Sequence, residues 1–248
     1  MSSTDELIPL LKKLRMSGVL QSLELRTRQA VDDDLSHGEF LYRLLTDEAE
    51  RRDSKQLSMR LRRANFEHAR SLEDFDFHFN PKIPKARIID LATCAFVERH
   101  ENVLLVAQAL GHRACRAGYQ VLYISAHDML AQLRSARADD SVARKLLRFT
   151  SPDVLIVDDL GLRALVHDEP IDLYEIIRQR YQRGSLILTS NRAVEEWPPL
   201  FGDALLASAA MDRLLHNAHV IEMEGDTHRN PPPAKRAKAD ARASAPGR

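Results

Sequence analysis

Up to about Arg70 the apolar positions of this chain recur at helical spacing, and after Ala86 they gather into short unbroken runs. Leu7, Leu10, Leu11 and Leu14 make one face, Val19, Leu20 and Leu23 a second, and Phe40, Leu41, Leu44 and Leu45 a third. Ser36 with Glu39 three residues on is a capping-box signature that opens the third helix. These spacings predict a small all-helical module over residues 1–70. Residues 71–85 alternate Phe75, Phe77 and Phe79 with polar residues before Pro81 and Pro84, the pattern of an extended linker or a short edge strand.

The second part alternates apolar runs with helical segments. Runs at 102–106, 121–124, 154–158, 185–191 and 219–223 predict five strands, and the stretches 107–117, 127–137, 141–149, 171–182 and 204–216 predict the helices between them. Such alternation is the signature of an α/β domain, here over residues 86–228, with a parallel sheet and helices on both faces. Gly118 and Gly184 fall where glycine ends a helix. Residues 229–248, rich in Pro, Ala and bases, cannot bury apolar area and are expected to form a disordered basic tail.

Charge changes the picture only through its distribution. Lys plus Arg and Asp plus Glu are 36 each. Between Arg51 and Arg70, however, Arg51, Arg52, Lys55, Arg60, Arg62, Arg63 and Arg70 face only Asp53 and Glu67, an excess suited to sequence-independent contact with DNA phosphates or to a solvated helix face. Cys94 and Cys115 sit in apolar helical patterns, as reduced core thiols of a cytoplasmic protein do. No apolar run approaches the roughly 20 residues of a membrane span, so no membrane partner is expected. His112 with Cys115 and His216 with His219 stand three apart, but no further ligands follow at zinc-site spacing.

The chemistry-bearing phrase is VLIVDDLG, Val154 to Gly161. A carboxylate at the C-terminal end of a buried parallel strand lies where such sheets bind ligands. Asp158 is placed as a Mg²⁺ partner, and Asp159 as an acid that orients a water attacking a γ-phosphate.

Several phrases in order then resemble one family. RAGYQVLY (116–123), VLIVDDLG, RYQRGSLILTSNRAVEEW (180–197) and FGDALLASAAMDRLLHNAHVIEMEGDTHR (201–229) are similar to the ATPase domain of IstB-type transposition helper proteins, relatives of the DnaC helicase loaders. LLKKLRMSGVL and the FDF segment resemble that family's DNA-binding and self-association module. The resemblance implies an AAA-plus, P-loop NTPase-like sheet that takes ATP and Mg²⁺, with double-stranded DNA, a transposase and further copies of the chain as partners. It implies that Asp158 holds Mg²⁺, that Asp159 takes the catalytic acid's place, that Asn191 is the sensor of the γ-phosphate, and that Arg213 reaches a neighbouring subunit's nucleotide. His228 departs from the family's tyrosine before Arg229.

One departure is larger. Where the family reads G-x-x-G-x-G-K-[ST] after the first strand, Val106 is followed at once by AQALG, and none of the nine glycines precedes a lysine. No lysine lies between Lys85 and Lys145. A phosphate loop aims several N–H groups and one ammonium at the β- and γ-phosphates. The expectation is therefore an IstB-like helper deficient in nucleotide binding, with a non-catalytic DNA-binding adaptor and a DnaC-like helicase loader as alternatives.

Overall fold

A computed structural model describes residues 3–66, 72, 84–104 and 108–221. The expected tail, most of the aromatic linker, Arg70 and the Val106–Ala107 junction lie outside the described residues. By its contacts the chain divides into two units, Met1–Arg60 and Leu61–Arg248, a division that falls within one long helix.

The first unit contains α1 (Ser3–Lys13), α2 (Ser17–Asp32) and most of α3 (His37–Ala64). Its small core is Val19, Leu23 and Leu44, with Leu11, Met16 and Phe40 packed against it. Leu7, Leu10, Leu14, Leu41 and Leu45 share the helical spacing but are exposed, as befits a unit too small to cover every apolar residue. The capping box forms as expected: Glu39 N–H donates to Ser36 Oγ at 3.2 Å, and Ser36 N–H to the Glu39 carboxylate at 3.3 Å. At α2, Met16 provides no side-chain cap. Glu48 of α3 replaces it, accepting the Gly18 N–H at 2.6 Å and the Val19 N–H at 3.3 Å.

The second unit is built on a five-stranded sheet in the order β2-β3-β4-β1-β5, every pair parallel. The strands are β1 (Asn102–Leu104), β2 (Val121–Ser125), β3 (Val154–Leu160), β4 (Ser185–Ser190) and β5 (Ala218–Val220). The helices are α4 (Lys85–Leu91), α5 (Ala95–Glu98), α6 (Gln108–Ala117), α7 (Ala126–Ala138), α8 (Val142–Thr150), α9 (Glu169–Arg180) and α10 (Ala204–Leu215). All five expected strands are present. Val154, Leu155, Ile156 and Val157 of β3 have no exposed surface, as a strand covered on both faces requires. Around Leu155 and Val157 pack Leu130 and Leu133 of α7, Phe149 of α8, Leu173, Ile176 and Ile177 of α9, and Ala210 and Leu214 of α10.

Three local expectations change. Helices α4 and α5 are too short for their periodicity to be read from sequence. Cys94 lies between them with φ of 65°, outside any helix, although both cysteines are buried and outside any disulfide. Gly118 ends α6 in the left-handed region, with φ of 108°. Gly184 does not end α9; Gln182 takes the left-handed position instead, with φ of 58°. Gly184 is glycine for lack of room, because a Cβ there would lie 2.7 Å from Arg180 Nη2.

Candidate functional site

The two acids of β3 owe their placement to a bulge. Val157 pairs with Leu188 and Leu160 with Ser190, so Asp158 and Asp159 together oppose the single residue Thr189. Asp159 absorbs the extra residue with φ of 59°, a conformation Asp tolerates better than most. Its side chain is thereby exposed, while Asp158 stays half-buried.

Asp158 is bonded from three directions within its own chain. Tyr123 of β2 donates its hydroxyl to Oδ2, Thr189 of β4 donates to Oδ1, and the Asp159 N–H lies 3.2 Å from Oδ1. The same N–H also donates to Thr189 Oγ1 at 2.9 Å. Three neighbouring strands thus meet on one carboxylate. Tyr123 and Thr189 were not among the residues the sequence singled out. A hydroxyl in each of two otherwise apolar runs was the available signal, but only the register of β2, β3 and β4 shows that both face Asp158.

Asn191 is exposed one residue beyond β4. The loops on either side of it are laced together: Ser190 Oγ donates to the Leu160 carbonyl at 2.6 Å, and Arg192 Nε to the Gly161 carbonyl at 2.6 Å. Asp158, Asp159 and Asn191 therefore share the C-terminal edge of the sheet.

Arg213 does not join them within the chain. Asn102, the first residue of β1, donates through Nδ2 to the Leu214 carbonyl at 3.0 Å, which puts the end of α10 at the opposite edge of the sheet. The Arg213 guanidinium donates to the Ala209 carbonyl at 2.7 Å and lies 5.5 Å from the Tyr174 ring centre.

The segment that leaves β3 is anchored by Glu169 at the start of α9. This buried carboxylate accepts from Arg163 at 2.7 and 2.8 Å, from the Val166 N–H at 3.0 Å and from Arg134. Chiefly the Arg163 hydrogen bonds hold its pKa down at about 2. Asp172, paired with Arg137, is instead raised, because burial outweighs that partner. His216 and His219 are engaged by Tyr181 and Glu101, and no group of three or more metal-ligating residues occurs among the described residues.

A Mg²⁺-triphosphate needs N–H groups and an ammonium facing its phosphates. Around Asp158 the described residues gather carboxylates and hydroxyls, and those hydroxyls donate to Asp158 itself. Among the described groups bonded to Asp158 there is no ammonium.

On α3 the bases differ in their partners. Arg52 Nε donates to Glu48 at 2.6 Å, whereas Arg51 is held by neutral groups, Ser17 Oγ at 2.8 Å and Gln21 Oε1 at 2.9 Å. Lys55, Arg62 and Arg63 are exposed.

A family described as "IstB-like ATP binding protein" matches residues 9–235 of the chain. The chain belongs to this family. A putative ATP-binding protein in an insertion sequence of Mycobacterium tuberculosis is 41% identical over 88% of this chain and 92% of its own length. The insertion sequence IS21 putative ATP-binding protein of Pseudomonas aeruginosa is 34% identical over 90% and 88%. Among solved structures, DnaI superposes with a TM-score of 0.51 at 20% identity, over 63% of this chain and 92% of that one. AMPPCP-bound DnaA from Aquifex aeolicus gives 0.50 at 19% identity, over 64% and 52%. At these identities the likeness is one of fold, and it confirms the P-loop-type parallel sheet expected from the sequence.

Proposed function

We propose that this chain is a cytoplasmic transposition helper that assembles on double-stranded DNA with copies of itself and assists a transposase, and that it does so without holding ATP. Its relatives are insertion-sequence proteins named as ATP-binding. The DNA-facing part is the helical module, through Arg51, Arg52, Lys55, Arg60, Arg62 and Arg63 of α3. The ATPase-like domain serves as a structural platform.

The observation that carries the nucleotide-free part is the direct passage from Val106 to AQALG. Charge-assisted hydrogen bonds contribute about 1.5–3 kcal/mol each, so losing about four forfeits roughly 6–12 kcal/mol. A micromolar ligand has only about 8 kcal/mol of binding free energy. Asp158, Asp159 and Asn191 occupy the family's positions for metal, water and γ-phosphate, yet acids without phosphate donors repel a triphosphate. Asp158 is then a structural junction of three strands.

Titration calorimetry of the full chain with a non-hydrolysable ATP analogue and Mg²⁺ tests this. No heat of binding in the micromolar range is expected, and a dissociation constant below about 100 μM, over 5 kcal/mol, would refute it. ATP turnover stimulated by DNA would restore an active ATPase in place of the nucleotide-free helper.

A further inference from the structure

Within the first unit a cavity of about 380 Å³ opens between the α1–α2 turn and α3, lined by Leu14, Arg15, Ser17, Glu48, Arg51, Arg52 and Lys55. Four cations face one carboxylate there. That carboxylate is already committed, because Glu48 caps α2 through Gly18 and Val19 and accepts from Arg52. The remaining cations, Arg15, Arg51 and Lys55, have no acid partner on this cavity wall.

Arg51 is the informative one. Ser17 and Gln21 hold it in place through Nε and Nη1. Both acceptors are neutral, so the guanidinium is positioned without being neutralised. Two of its five N–H donors are used, and the rest of the fork remains available. Ser17, accepting from Arg51, keeps its own hydroxyl proton to donate. A fixed arginine fork beside a serine hydroxyl and two exposed cations matches a tetrahedral anion with several acceptor oxygens.

We propose that this cavity seats one backbone phosphate of double-stranded DNA on Arg51, together with Arg15 and Lys55. The assignment rests on the DNA-binding function proposed above and deepens it in two respects. It adds Arg15, which the charge run on α3 does not include, and it removes Arg52, whose charge answers Glu48.

The test is the salt dependence of binding between the full chain and a short fluorescent duplex of arbitrary sequence, followed by anisotropy. Arg51→Met is expected to lower the slope of log affinity against log salt by about 0.9, the value for one phosphate contact. Arg51→Lys keeps the charge and should keep the slope while weakening binding. Lys55→Ala, at an exposed position, should weaken binding with no change in thermal stability, which guards against a folding defect in the Arg51 variants. An unchanged slope in Arg51→Met, with the parent chain binding normally, overturns the cavity assignment and leaves DNA binding to the rest of α3. No salt-sensitive binding by the parent chain overturns the wider function as well. Displacement of the duplex by polyglutamate, dependent on Arg51 to the same degree, overturns the assignment in favour of an acidic protein segment.

Discussion

Arg180 should be the most stability-sensitive side chain of the α/β unit, and Arg180→Met measures it. Only 2% of its surface is exposed, and burial draws its pKa down to about 10. Nη1 donates to the carbonyls of Phe149, Thr150 and Pro152 at 3.1, 3.3 and 2.9 Å. Nη2 donates to Asp153 and Ser185 at 3.1 and 2.7 Å. The side chain thus closes the end of α8, the approach to β3 and the start of β4. Methionine fills similar volume and donates nothing. Four N–H groups shared among five carbonyls, at about 1.5–3 kcal/mol each, give a gross loss of roughly 6–12 kcal/mol. Relief from burying the charge returns about 3 kcal/mol, from the pKa displacement. Water reaching the loop carbonyls lowers the remainder further, toward the roughly 3–5 kcal/mol typical of a broken buried ionic set. Urea unfolding followed by Trp197 fluorescence reads this out, since Trp197 is the single tryptophan and is buried in the same unit. With a slope of about 1–3 kcal/mol per molar, the midpoint should fall by roughly 1–5 M. A loss below about 1 kcal/mol would show that the five carbonyls find water as readily as guanidinium, and the cage would carry no stability.

Glu169→Gln should destabilise the same unit near neutral pH and flatten the acid limb of its stability. The folded pKa of about 2 lies below the ordinary 4.5, so the carboxylate's contribution of about 3 kcal/mol is complete above 4.5 and lost as pH falls toward 2. An unchanged acid limb in urea melts across that window would assign the stability elsewhere. Inserting a glycine-rich phosphate loop with its lysine between Val106 and Ala107 should bring analogue binding below about 100 μM in calorimetry. Turnover should stay slow, because Asp159 is one methylene shorter than the family's usual glutamate; a repaired chain that still fails to bind would mean that Asp158 cannot be released from its hydroxyl partners.

The sheet was legible because its buried strands must be continuously apolar and its helices periodic, and both signals survive in single residues such as Val154–Val157. The expected ends were less so. The third strand runs on to Leu160, two residues past the expected Asp158. Contacts that depend on register or on distant carbonyls were invisible. Tyr123 and Thr189 meet at Asp158 only because β2, β3 and β4 are aligned with a bulge. Arg180 reads as one more base at a helix end, and nothing in its neighbours shows that it turns inward. The run of bases on α3 was legible as charge, but its division into Arg52, answered by Glu48, and Arg51, answered by no acid, required the fold.

The three-way bonding of Asp158 separates what preserves a residue from what that residue does in a reaction. A carboxylate that ties β2, β3 and β4 together is needed whenever the protein folds, whether or not it ever meets a nucleotide. Replacing it by alanine would orphan two hydroxyls and unpin a bulge, a penalty felt before any reaction begins. Descendants that lose the phosphate loop would keep writing the first of the two acids. In such lineages the loop in front of the first helix, rather than the acid strand, is the trustworthy record of whether ATP is still consumed.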